Sequence, residues 1–166
     1  MTIKQSGGHA YFDLSKNKSI NIKIDKIELR DGFYRSACQY YSAVKILFPK
    51  IELMNVTMSN AAFSCELFLK AILYGFDINF GKTHQLEKLF ALLPERAKDY
   101  IKQNIAIENK EIEFLQCLNE QSKAFEMFRY SCEVKCIAFK IDFLPALADI
   151  LKFVYESLIN ESKNIM

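Results

Sequence analysis

The chain has 166 residues, 51% apolar and 25% charged, with a formal net charge of +2. That is the length and make-up of one ordinary globular domain, and it excludes a disordered chain. The charge is too small to imply a nucleic-acid partner by itself, and five glycines and three prolines are too few for an all-β fold built on many turns.

Residues 1–30 form an N-terminal arm. They hold six Lys or Arg against three Asp or Glu, so the arm is basic, whereas residues 31–166 hold 16 against 17. A basic arm can touch phosphate, although a solvated tail is the commoner meaning. Gly7-Gly8 and the polar run to Lys18 carry no periodicity, and His9 sits within them. Ile20, Ile22 and Ile24 then alternate with Asn21, Lys23 and Asp25, the period of a short edge strand or hairpin.

Residues 31–162 read as a helical bundle. A first helix is predicted from Asp31 to Phe48, with Phe33, Ala37, Tyr40, Tyr41, Val44, Leu47 and Phe48 on one face and Pro49 as its stop. A second runs from Glu52 to Phe76 and is apolar nearly all round, as a central helix is. It ends at Gly75 or within Asp77-Ile78-Asn79. Thr83 reads as the N-cap of a short helix carrying Leu86, Leu89, Phe90, Leu92 and Leu93. Pro94 closes that helix and opens another, from Glu95 to Ile105. A longer helix is predicted from Asn109 to Arg129, with Ile112, Leu115, Leu118, Phe125 and Phe128 inward. Ser131 to Ile141 fits helix, bend or extended chain. The last helix is capped by Asp142, holds Pro145 in its first turn, and buries Phe143, Leu147, Ile150, Leu151, Val154, Tyr155 and Leu158. The fold class is therefore mainly α: an up-and-down bundle with four longer helices and one or two short ones, preceded by a short β strand or hairpin.

Cys38, Cys65, Cys117, Cys132 and Cys136 are odd in number and lie in apolar helical patterns, which fits buried thiols in a reducing compartment. Cys132 and Cys136 lack a second pair of ligands, and the chain has two histidines, so no metal and no cofactor is expected. No secretory signal is visible, and Glu66 and Lys70 interrupt the longest apolar stretch, Ala61 to Phe76. A cytoplasmic location with no membrane partner is expected by elimination.

Chemistry-bearing residues are few. Glu66 and Lys70 stand four apart on the apolar helix, so they either pair or wall a groove. Arg129 and Glu133 have the same spacing, and a guanidinium there can grip phosphate or form an ion pair. His84 follows Thr83 at a helix start, where the dipole favours an uncharged ring able to act as a base; a surface or capping role is the plainer alternative. Phosphate-loop, dinucleotide and nucleophile-elbow templates are absent.

Three segments carry a resemblance: Asn60-Ala-Ala-Phe-Ser-Cys-Glu-Leu-Phe-Leu-Lys-Ala-Ile-Leu73, Lys82-Thr-His-Gln-Leu-Glu-Lys-Leu-Phe-Ala-Leu-Leu-Pro94 and Ala124-Phe-Glu-Met-Phe-Arg-Tyr-Ser-Cys-Glu133. Together they resemble the HEPN (higher eukaryotes and prokaryotes nucleotide-binding) domain superfamily. The resemblance implies a helical bundle, a homodimer with a groove at its interface, and a toxin–antitoxin or defence setting. Many members are metal-independent ribonucleases, marked by an Arg followed after four to six residues by His. Here Arg129 matches the Arg, but Val134, Lys135 and Cys136 stand where His would be, which weighs against an enzyme. Three readings follow. The first is a non-catalytic module that binds RNA, a nucleotide or a partner protein such as a nucleotidyltransferase, through Glu66, Lys70, His84, Arg129 and Glu133. The second is a divergent ribonuclease using Arg129 and His84. The third is a purely structural assembly or antitoxin-like protein.

Overall fold

In a computed structural model of the chain, the described residues are 26–105, 112–122, 128 and 140–163. Among them are six α-helices: α1 (Lys26–Leu47), α2 (Met54–Gly75), α3 (Leu86–Ala91), α4 (Glu95–Asn104), α5 (Ile112–Gln121) and α6 (Phe143–Lys163). A 3-10 turn, Ile51–Leu53, leads into α2. The expected mainly α class is therefore observed, with helices and no strand among the described residues. The strand expected at Ile20–Ile24 and the ambiguous stretch at Ser131 both lie outside the described residues.

Helix α2 is the centre. Fourteen of its residues are buried, and 78% of its apolar window lies inside the fold, so a segment apolar enough to cross a membrane serves as a core helix. Its neighbours are α1 and α6. Phe33 stacks on Tyr74, Tyr34 tilts against Phe68, and Tyr40 meets Phe63 edge-on at 4.6 Å. Rising numbers on α1 thus meet falling numbers on α2, and the two helices are antiparallel, as their short connection requires. Cys65 Sγ donates to the Leu144 carbonyl, while Tyr41 donates to Asp149, so α6 runs with α2 and against α1. Ala37, Tyr41 and Val44 carry the α1 stripe, and Leu144, Leu147, Ala148 and Leu151 carry that of α6.

Helix α1 already includes Lys26, five residues ahead of the predicted start, and ends at Leu47, one residue short of the predicted Phe48 and two before Pro49. The larger difference is in α5. Its buried stripe is Phe114, Cys117, Leu118 and Gln121, whereas Leu115, predicted to face inward, is 43% exposed. A stripe drawn every three residues drifts off a 3.6-residue helix, and the true face follows i, i+3, i+4, i+7. Helix α5 also ends at Gln121, short of the predicted Arg129. Leu92, expected inside with Leu93, faces outward at the end of α3.

One polar network ties α1 to α6. Tyr155 donates to Asp31 at 2.9 Å, Tyr34 donates to Glu156 at 2.6 Å, and the two tyrosine rings stack at 4.2 Å. Burial would raise the Asp31 carboxyl, but the bonds from Arg30 and Tyr155 outweigh it and hold the group below its ordinary value. Lys152 and then Tyr34 do the same for Glu156. Burial, reinforced by the bond to Asp31, pushes Tyr155 from 10.0 up to about 12. The carboxylates therefore stabilise the fold fully above their ordinary values of 3.8 and 4.5, and that contribution fades as pH falls through the depressed ones. At the alkaline end the unfolded chain releases the Tyr155 proton first, so stability falls as pH rises from 10 towards about 12. Urea unfolding across acid and alkaline pH should show both limbs, each shallower in Tyr155→Phe. An unchanged profile would mean the network does not titrate with folding.

Candidate functional site: a histidine held on a buried carboxylate

The site is built on the middle of α2. Glu66 and Lys70 lie one turn apart, and both are buried, at 3% and 7% relative exposure. Neither charge could stay there alone, since an unpaired buried ion costs several kcal/mol. Lys70 Nζ donates to Glu66 Oε1 at 2.6 Å and sits 5.6 Å from the centre of the Phe80 ring, whose negative face completes its shell. The pairing that the i, i+4 spacing allowed is therefore made.

The loop after α2 supplies the rest. Helix α2 stops in a Schellman arrangement: Ile78 N–H bonds the Leu73 carbonyl, Asp77 N–H bonds that of Tyr74, and Asp77 takes the left-handed conformation with φ 55°. Glycine is the usual residue at such a point; here a non-glycine fills it. The chain then turns again at Gly81, whose φ is 63° and whose N–H bonds the Asn79 side chain. These two turns send the chain back along α2. Phe80 lands edge-on against Tyr74 at 5.2 Å and near Phe33 at 6.3 Å, and His84 arrives beside Glu66.

His84 Nδ1 lies 2.8 Å from the same Glu66 Oε1 that holds Lys70, and its side chain is 71% exposed. One carboxylate oxygen thus carries a buried ammonium on one side and an exposed imidazole on the other. With Nδ1 committed to Glu66, the other nitrogen, Nε2, is the one presented to a ligand. Helix α3 starts at Leu86 with Gln85 as its N-cap, so Thr83 is not the cap expected from its type; its hydroxyl instead accepts from Gln85 N–H at 3.3 Å. His84 therefore precedes the helix, and its surroundings are set by Glu66 rather than by a six-residue helix dipole.

Of the residues singled out in the sequence, the fold brings Glu66, Lys70 and His84 together. Lys70 does not face solvent: its ammonium is committed to Glu66, so the outward-facing member is His84. Arg129 and Glu133 lie outside the described residues. Sequence reasoning missed the wall formed by Phe33, Tyr74 and Phe80. Tyr74 was within reach of it, four residues beyond Lys70 on the same face, but the place of Phe80 depends on two turns. No group of three or more His, Cys, Asp or Glu among the described residues could hold a metal ion.

The fold and this site define an all-helical module with a polar edge on its central helix. The HEPN domain family model matches residues 31–136, more than half of the chain, and the chain belongs to that family. The match covers α1 from Asp31 onward, the whole Glu66–Lys70–His84 arrangement, and the Arg129 and Glu133 positions. Comparison with curated proteins and with solved structures found no match.

Proposed function

We propose that this chain is a HEPN module that binds RNA, nucleotide by nucleotide, at the His84 edge. The supporting observation is the exposed imidazole fixed at 2.8 Å from a buried carboxylate. Such a ring is held in one orientation at little entropic cost, and its outer nitrogen suits a phosphate oxygen or a ribose hydroxyl. The half-buried rings of Phe33, Tyr74 and Phe80 lie on the same side of α2 and offer apolar surface to a base. Lys70 serves indirectly, holding Glu66 in place. Arg129 is assigned the second phosphate contact, and a second copy of the chain the opposite wall of the groove. The setting that fits is a cytoplasmic toxin–antitoxin or defence pair.

A second reading has its own support. A histidine whose Nδ1–H is held by a carboxylate keeps Nε2 as the acceptor, the arrangement used for proton abstraction. His84 Nε2 would take the proton of a ribose 2′-hydroxyl, the freed oxygen would attack the adjacent phosphorus, the 5′-oxygen would leave, and Arg129 would stabilise the charge that develops.

One experiment tests both: a labelled single-stranded RNA, incubated with EDTA, read by anisotropy for binding and by gel for cleavage. His84→Ala is expected to weaken binding about 10-fold, the scale of one hydrogen bond to a charged group. Equal binding by wild type and variant would overturn the assignment of the edge. Cleavage by wild type, lost in both His84→Ala and Arg129→Ala, would establish the ribonuclease reading; intact RNA throughout would leave binding alone.

A further inference from the structure

A groove lies between α4 and the later turns of α6, lined also by Phe76 just past the end of α2. It encloses about 770 Å³, and neither Glu66, Lys70, Phe80 nor His84 lines it. Three of its aromatic residues leave apolar surface in water: Phe153 is 53% exposed, Tyr100 39% and Phe76 37%. Tyr100 and Phe153 stack on each other at 5.7 Å, which occupies their facing sides and leaves their outer sides and edges open. Such area costs hydrophobic free energy until something covers it.

The point where the chain enters the bundle says what is close by. Helix α1 runs against α6, with Tyr41 on Asp149, Tyr34 on Glu156 and Asp31 on Tyr155. One turn further back, Ile27 therefore stands by the turn of α6 that carries Leu158, and Leu158 lines the groove. Phe33 stacks on Tyr74, two residues before Phe76, so the end of α2 lies at this same end of the bundle. The N-terminal arm thus joins the fold next to the groove.

Reach then separates this surface from the other apolar ones. Ile24 and Ile20 precede Lys26 by two and six residues, so extended chain carries them about 7–20 Å from it. Ile46, Phe48, Ile51 and Val56 are also exposed, but they lie around the far end of α1, about 30 Å from Lys26 at 1.5 Å per residue. They are out of range. Ile20, Ile22 and Ile24 alternate with polar residues, and in extended chain all three share one side over about 14 Å, the length of α4 from Pro94 to Gln103. A segment on so short a tether acts at roughly millimolar effective concentration, so a modest apolar contact is enough to hold it.

We propose that the N-terminal arm folds back along the α4–α6 groove, with Ile20, Ile22 and Ile24 covering Phe76, Tyr100 and Phe153. The inference is independent of the His84 edge and stands whether or not RNA binds there.

The test uses the full chain and exploits its lack of tryptophan. Phe153→Trp places one fluorophore in the groove, and Ile51→Trp, at a position 83% exposed, places one at the far end of the bundle. Acrylamide should quench the first less than the second. Ile20→Ser, Ile22→Ser and Ile24→Ser together should abolish that protection, raising quenching of Phe153→Trp to the level of Ile51→Trp and shifting its emission to the red. Asn21→Ser, Lys23→Ser and Asp25→Ser, three changes on the opposite side of the arm, should leave it in place, with thermal midpoints confirming that every variant is folded. The proposal fails if the two fluorophores are quenched alike from the outset, if protection survives the isoleucine changes, or if both sets of changes remove it equally. Protection that fades on dilution would assign the groove to a second copy of the chain and overturn it too.

Discussion

Glu66→Ala is expected to destabilise the protein by about 3–5 kcal/mol, because it leaves the Lys70 ammonium buried without its counter-charge. Lys70 is 7% exposed, and its polar contact among those described is the 2.6 Å bond to Glu66, supplemented by the Phe80 ring. In the variant the ammonium must lose its proton, drag water inward or force the helix to shift. The loss belongs to the orphaned charge rather than to the pair, so the combined variant Glu66→Leu, Lys70→Met should recover most of it. Urea unfolding of the four proteins of this double-mutant cycle separates the two terms. A single-variant loss under about 1 kcal/mol would show that Lys70 reaches solvent, and the pairing would then carry little energy. The combined variant also frees His84 from its anchor without unfolding the chain, so its RNA binding reports what the anchor contributes.

Phe68→Ala should cost about as much, some 3–5 kcal/mol, for an unrelated reason. Phe68 has no exposed surface and packs against Tyr34 at 5.9 Å and Tyr41 at 6.3 Å, where α1 crosses α2. Truncation removes the transfer free energy of a benzyl group and leaves a cavity that rigid helices cannot close. Total stability of a domain is only about 5–15 kcal/mol, so the thermal midpoint should drop by roughly 10 °C or more. Val56→Ala, on the same helix but 52% exposed, supplies the control and should shift stability by no more than about 0.5 kcal/mol. Similar midpoints for the two variants would mean that Phe68 is not in the centre of the core.

Much of this architecture was legible because helical periodicity is a local property. The stripes of α1 and α6 follow directly from the spacing of Ala37, Tyr41 and Val44 and of Leu147, Leu151 and Val154. The central place of α2 was legible from its lack of a polar face. In α5 the face was misread because Leu115 is more apolar on its face value than Cys117, yet Cys117 is the one inside. The site divides in the same way. Glu66 with Lys70 could be read from spacing alone, since one helix sets the distance. His84 joins them from 18 residues further on, and nothing local announces the partner. The reversal that brings it there runs through Asp77 at φ 55°, a position for which glycine is the usual signal. Tyr100 and Phe153 belong to different helices, so their stacking appears only when α4 and α6 are in place.

The two turns between α2 and α3 have a consequence for how this site can change. The path from the end of α2 to His84 is set by main-chain bonds at Ile78 and Asp77 and by the Asn79–Gly81 turn. Its span therefore acts as a ruler: what it specifies is a length. Side chains facing water along it can vary widely while the imidazole stays on Glu66. One residue gained or lost there would carry the ring out of reach while all six helices kept their places. Divergence in ligand preference within such a scaffold is then easiest by a change of length between Phe80 and His84, which spares the contact of Phe80 with Tyr74 and rebuilds the edge.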